Sequence, residues 1–138
     1  MVSRVLVDTS ALYALANPED EHHPRAIEIH RSLIRRKVTL VLPNFLLAET
    51  HTIINRRLGP QAAREFLNSA VQDFEIERVT LEDEWSAHAL LQDVSRQRDL
   101  SYFDAVAASV AERLGAEEIF SFDRHFSLIG LKLSKDFR

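Results

Sequence analysis

The sequence predicts a three-layer α/β/α domain built on a mostly parallel sheet of about five strands. Three observations carry this expectation. Short apolar runs that read as strands alternate with longer stretches at helical spacing, so helical crossovers join successive strands. Punctuation falls where that alternation needs it: Pro43 stops a strand, Gly59 and Gly115 close helices, and Pro60 opens one. The length of 138 residues suits one domain with a core of its own.

Taken in order, Arg4 to Asp8 is a short apolar run of the kind a buried strand requires. Thr9 to Ala16 is helical. Asn17 to Arg25, with Pro18 and Pro24, is the densest polar stretch and reads as a surface loop. Helical spacing resumes over Arg25 to Arg36, where Ala26, Ile29, Leu33 and Ile34 share a face. Val38 to Leu42 is the second strand. Helices follow over Asn44 to Leu58 and from Pro60 to about Val71. Phe74 to Val79 alternates as a third strand. Thr80 to Gln97 is a long helix carrying Leu81, Trp85, Leu90, Leu91 and Val94. Ser101 to Leu114 is apolar nearly all round, the mark of a buried helix. Glu118 to Phe122 is the fourth strand, and Leu131 to Leu133 a fifth.

Composition excludes several chemistries. With no cysteine there is no disulfide framework, thiol nucleophile, iron–sulfur cluster or cysteine-ligated zinc. Three glycines leave no room for a glycine-rich phosphate loop. The first apolar run stops at Asp8, too early for a secretory signal, and no segment approaches the ~20 apolar residues that span a bilayer. A cytoplasmic location and no membrane contact are therefore expected. Repeats and Ser/Gly-rich linkers are absent, so residues 1–138 read as one domain. Seventeen basic against 21 acidic residues give a net charge of −4, which at first sight counts against a nucleic-acid partner.

Four carboxylates occupy awkward places. Asp8 ends the first predicted strand and Asp123 follows the fourth, at the strand ends where open α/β sheets bind ligands. Either is equally well read as a helix N-cap. Glu49 has Phe45, Leu46 and Ile53 among its helical neighbours, which turns it inward, where it needs a cation, a hydrogen-bond partner or a raised pKa, a pair with an arginine elsewhere being the plainer reading. Asp104 stands three residues after Ser101, an acidic variant of the capping box, at the start of the buried helix. Brought together, four ionised carboxylates repel by several kcal/mol at intermediate dielectric and call for a cation or protons. Hard oxygen donors without cysteine favour Mg²⁺ or Mn²⁺, and such a cluster suits phosphoryl chemistry.

These residues, in this order, resemble the PIN-domain nucleases. Val5-Leu-Val-Asp8-Thr-Ser-Ala-Leu12 resembles that family's opening motif, Leu47-Ala-Glu49-Thr its second, Leu100-Ser-Tyr-Phe-Asp104-Ala its third and Phe120-Ser-Phe-Asp123-Arg-His-Phe126 its fourth. The likeness covers essentially the whole chain and is greatest to VapC-type toxins of toxin–antitoxin pairs. It implies a Mg²⁺- or Mn²⁺-dependent endoribonuclease in which Asp8, Glu49, Asp104 and Asp123 form the acidic metal site and activate a water. A hydroxyl just after the first aspartate is implied too; Thr9 and Ser10 both qualify, with Ser10 preferred, and Asp99 is a candidate outer carboxylate. The resemblance further implies a homodimer, a small inhibitory antitoxin and a sheet in the order 3-2-1-4-5.

Fourteen of the 17 bases are arginine, the side chain best suited to phosphate. Arg56, two turns beyond Glu49, is a candidate contact for substrate phosphate or an antitoxin carboxylate, and equally a cation at a helix C-terminus. Arg124, beside Asp123, is a second candidate contact. His125 has a route to the site through the Asp123 turn, but His51 and His125 are assigned surface or structural roles, and the His22-His23 pair a solvated helix start. Trp85 is expected in the core or an interface; Tyr102 and Phe103 are candidates for stacking on a base.

Competing classes fit less well. Haloacid-dehalogenase-type phosphohydrolases need a second aspartate where Ser10 stands, and a late lysine that the stretch from Asp99 to Asp123 lacks. Response-regulator modules need an aspartate after the third strand, where Val79 and Thr80 stand. An inactive RNA-binding PIN-like protein or a non-toxin RNA-processing nuclease remains the alternative. Setting aside the four proposed ligands leaves 17 acids against 17 bases, so the net charge reports one acidic pocket rather than a surface hostile to RNA.

Overall fold

The computed structural model describes residues 3–93 and 100–135. Its elements are β1 (Arg4–Val7), α1 (Thr9–Ala16), α2 (His23–Arg35), β2 (Thr39–Pro43), α3 (Asn44–Leu58), α4 (Pro60–Asp73), β3 (Glu75–Glu77), α5 (Leu81–Gln92), α6 (Tyr102–Leu114), β4 (Glu118–Phe120), a 3₁₀ helix (Arg124–Ile129) and β5 (Lys132–Leu133). All neighbouring strands are parallel, in the order β3-β2-β1-β4-β5. This is the three-layer α/β/α arrangement expected, with six α-helices flanking the sheet.

β1 lies at the centre, with Leu6 opposite Val41 on one side and Ile119 on the other. Val5, Leu6 and Val7 are all buried. Successive strand side chains point to opposite faces, so this run is covered from both, as its unbroken apolarity requires. Helix α6 is buried on two sides. Ala107 and Ala111 join the main core, while Ala105, Val106 and Val110 pack with Ala87 of α5 in a second cluster. Gly115 then ends α6 in the left-handed conformation (φ 71°) that a side chain would strain.

Several boundaries differ from expectation for local reasons. α2 starts at His23 rather than Arg25, because Pro24 fits a first turn whose N–H groups have no helical partner anyway. β1 stops at Val7, releasing Asp8 to cap α1. β4 stops at Phe120, and Ser121–Asp123 turn into the unpredicted 3₁₀ helix, pinned by fully buried Phe126. α5 ends at Gln92, with Asp93 as its C-cap, not at Gln97; Val94 lies outside the described residues. Trp85 does not enter this chain's core, being 62% exposed. Among the described residues no helix is long and apolar enough to cross a membrane.

Candidate active site

Because every strand runs the same way, the segments after β1, β2 and β4 emerge at one edge of the sheet. Strand order reverses between β1 and β4, the switch point where open α/β sheets form a ligand crevice. Asp8 and Asp123 flank that crevice. A bond from the Asp8 amide to the Phe120 carbonyl (3.0 Å) carries the β1–β4 ladder to its rim.

Asp8 both caps α1 and faces the crevice, so its two readings hold together. Its Oδ2 accepts from the Ser10 hydroxyl (2.9 Å), the Ser121 hydroxyl (2.8 Å) and, more weakly, the Ser10 amide (3.4 Å). Burial pushes the Asp8 carboxyl above its ordinary range, and the Ser121 and Ser10 hydrogen bonds only partly offset this. Ser10 Oγ also accepts from the Phe122 amide (2.9 Å), and Ser121 Oγ from the Asp123 amide (2.9 Å). Two serines thus lace the turn after β1 to the turn after β4.

Asp104 closes the capping box expected for it: its amide donates to Ser101 Oγ (3.1 Å), and its Oδ2 accepts from the Ser101 amide (3.3 Å). Burial pushes its carboxyl up against those bonds, and the nearby charges of Asp123 and Asp8 push the same way. Asp123 caps the 3₁₀ helix by accepting the His125 amide (2.9 Å), while His125 Nδ1 lies 3.0 Å from the same Oδ1. Asp104, Asp123 and His125 each offer a ligand atom, all within 4.8 Å of one another.

Glu49 joins through Thr9, whose hydroxyl donates to Glu49 Oε1 at 2.6 Å. Thr50 Oγ1 backs Thr9 at 3.0 Å and also bonds the Leu46 carbonyl. The partner of this half-buried carboxylate is therefore a hydroxyl rather than an arginine. Among the described residues no lysine or arginine forms an ion pair with Asp8, Glu49, Asp104 or Asp123. The donors are hard oxygens and one imidazole, a set that fits a divalent cation.

The PIN domain family model matches residues 5–131. The chain belongs to the PIN-domain family. It is 32% identical, over 130 residues, to the 23S rRNA-specific endonuclease VapC20 of Mycobacterium tuberculosis; the match covers 91% of this chain and 94% of the relative. The crystal structure of VapC20, described as a sarcin-ricin loop cleaving toxin, superposes with a TM-score of 0.79 at 30% identity, covering 92% of this chain and 95% of the other. VapBC2 from Rickettsia felis shares the fold at 16% identity, with a TM-score of 0.75 and coverage of 95% and 97%.

The other residues singled out in this PIN domain take varied positions. Arg56 is exposed in the last turn of α3, seven residues or about 10 Å along the axis from Glu49. Arg124 is exposed at the start of the 3₁₀ helix. Asp99 lies outside the described residues. Tyr102 and Phe103 are exposed beside Asp104, and Phe103 stacks on Phe45 of α3 at 5.9 Å. Sequence reasoning passed over Ser121, although a hydroxyl two residues before an acid was a readable signal, since Asx and Ser turns bond their own backbone two residues on. For His125 the sequence favours a surface or structural role over an approach through the Asp123 turn; the cap on Asp123 brings its Nδ1 to 3.0 Å from Asp123 Oδ1.

Proposed function

We propose that this PIN domain is a metal-dependent endoribonuclease that hydrolyses RNA phosphodiester bonds, and the toxin of a toxin–antitoxin pair. The observation that carries this reading is the convergence of Asp104 and Asp123 with Asp8 at the strand-order switch point, with no lysine or arginine pairing with them among the described residues. Asp8, Glu49, Asp104 and Asp123 are the proposed ligands. A bound Mg²⁺ or Mn²⁺ would supply Lewis acidity and a water of lowered pKa.

The chain's own residues do the positioning. Ser10 and Ser121 hold Asp8 through one oxygen, and Thr9 holds Glu49. Ser101 holds one oxygen of Asp104 and leaves Oδ1 without a hydrogen bond among the described residues. Arg56 and Arg124 are proposed contacts for RNA phosphates or for acidic groups of an antitoxin. The relative's activity on 23S rRNA makes ribosomal RNA the substrate to try first. A homodimer, a small antitoxin partner, a cytoplasmic location and action of residues 1–138 as one domain complete the reading.

The test is cleavage of purified ribosomal RNA with Mg²⁺, with Mn²⁺ and with chelator, using wild type and Asp104→Asn. The expected result is metal-dependent cleavage that the variant lacks while its circular dichroism is unchanged. Full activity in chelator, or in the variant, would overturn the assignment. A protein that binds RNA but neither binds Mn²⁺ nor cleaves would be the inactive RNA-binding alternative.

A further inference from the structure

We infer that His125 is a direct nitrogen ligand of the ion held by Asp104 and Asp123, and that it tilts the site from Mg²⁺ toward Mn²⁺ and other first-row transition ions. This rests on the metal-dependent reading above and goes beyond its four carboxylates.

Distances come first. Ligands about 2.1 Å from an octahedral ion stand about 3 Å apart when adjacent and about 4.2 Å when opposite. His125 Nδ1 is 3.0 Å from Asp123 Oδ1, and the ligand atoms of Asp104, Asp123 and His125 lie within 4.8 Å of one another. The 3.0 Å pair matches adjacent positions of one coordination shell, and a limit of 4.8 Å on the rest is slightly wider than that shell.

The fold sets the position of the imidazole. Asp123 accepts the His125 amide, so both side chains leave the same turn, and buried Phe126 anchors that turn to the core. The two side chains are 41% and 31% exposed, open enough for an ion to enter. His22 is not one of that group; its ring stacks on Phe122 at 4.4 Å and its Nε2 lies 3.4 Å from Glu21.

Chemistry supplies the selectivity. Mg²⁺ takes oxygen ligands and keeps much of its water, whereas affinity of nitrogen donors rises along the first-row divalent ions. One imidazole among carboxylates should therefore favour Mn²⁺ over Mg²⁺ relative to an all-oxygen site.

The experiment is pulsed electron paramagnetic resonance on the full-length protein loaded with Mn²⁺, paired with calorimetric titration of Mn²⁺ and of Mg²⁺. Wild type and His22→Ala should show the modulation of a directly bound ¹⁴N, which ¹⁵N-histidine labelling should convert to the ¹⁵N pattern. His125→Ala should lose it, bind Mn²⁺ about tenfold or more weakly, and bind Mg²⁺ with little change. Where the alanine variant fails to fold, His125→Gln and the isotope substitution in wild type give the same reading. Bound Mn²⁺ without nitrogen coupling, or coupling that survives in the His125 variants, overturns His125 as a ligand and leaves the metal-nuclease reading intact. Failure of wild type to bind Mn²⁺ overturns both.

Discussion

The hydroxyl of Ser121 donates to Asp8 Oδ2 at 2.8 Å and accepts the Asp123 amide at 2.9 Å, so one buried side chain couples the acid after β1 to the acid after β4. Ser121→Ala removes a donor from a buried carboxylate and leaves a part-buried amide without its partner. The expected cost is about 1–3 kcal/mol of stability, with metal affinity lowered 10- to 100-fold as for other residues that orient ligands. Thermal denaturation and Mn²⁺ titration check this. If both matched wild type, Ser121 would have no part in supporting the site.

Asp8→Asn separates function from folding. Asparagine keeps the shape and an acceptor for Ser10 and Ser121, but not the charge that burial opposes and Asp104 feels. Cleavage should fall by about a hundredfold or more, while the metal-free variant should melt above metal-free wild type at neutral pH. A folded pKa raised above the unfolded value means that the native state binds protons more readily, so the penalty is full above the raised value and gone below about 3.8. The melting advantage of the variant should therefore shrink as pH falls through that raised value and vanish below about 3.8. His30, held below its usual range by burial, contributes equally to both proteins and cancels in the difference. An advantage independent of pH would show that Asp8 is not the group responsible.

Lys37 offers a prediction remote from the site. It follows the C-cap of α2 with φ 56°, a left-handed conformation that costs a residue with a Cβ about 1–2 kcal/mol. Lys37→Gly relieves that strain but adds unfolded-state entropy of about 0.5–1 kcal/mol. The net gain should be under about 1 kcal/mol, a rise of a few degrees in melting temperature with cleavage unchanged. A drop in melting temperature would mean that the lysine side chain stabilises the turn in some other way.

What could be read from residues alone divides along physical lines. The strand core was legible because a strand covered on both faces must be apolar without interruption, as Val5, Leu6 and Val7 are. Capping residues were legible for the same local reason: Ser101 and Asp104 sit at the spacing their hydrogen bonds require. Asp8 and Asp104 were each weighed as a cap or as a site acid, and the structure gives both the cap while placing both at the crevice. The 3₁₀ helix after β4 escaped notice because six residues carry too little periodicity to register. The approach of His125 through the Asp123 turn was readable but not preferred, because its direction depends on that 3₁₀ turn. Ser121 escaped because its role rests on Asp8, 113 residues away, and only the parallel pairing of β1 with β4 brings them together.

The ion cluster under α5 makes the last prediction. Arg113 of α6 donates through Nε to both oxygens of Asp83 (2.9 and 3.1 Å) and through Nη2 to Oδ2 (3.0 Å), while its Nη1 reaches Glu77 at the end of β3 (2.9 Å). Asp83 is only 2% exposed and also closes the capping box with Thr80 at the start of α5. Burial alone would raise its carboxyl, but the Arg113 and Thr80 hydrogen bonds and the Arg113 charge outweigh it and hold Asp83 below the ordinary value. For a depressed folded pKa the sign is the reverse of that for Asp8: the stabilisation is present above about pH 3.8 and is lost as pH falls through the folded value. Arg113→Met keeps much of the apolar stem and strips Asp83 of its cation, leaving a buried charge uncompensated, for an expected cost of about 3 kcal/mol at neutral pH. Asp83→Asn together with Arg113→Met should recover part of that loss, because no unpaired charge remains buried. Urea denaturation of the two variants at pH 7 and pH 3 checks both the size and the sign: the deficit of Arg113→Met should narrow in acid. A deficit that stayed constant across that range would assign the role of Arg113 to packing rather than to charge.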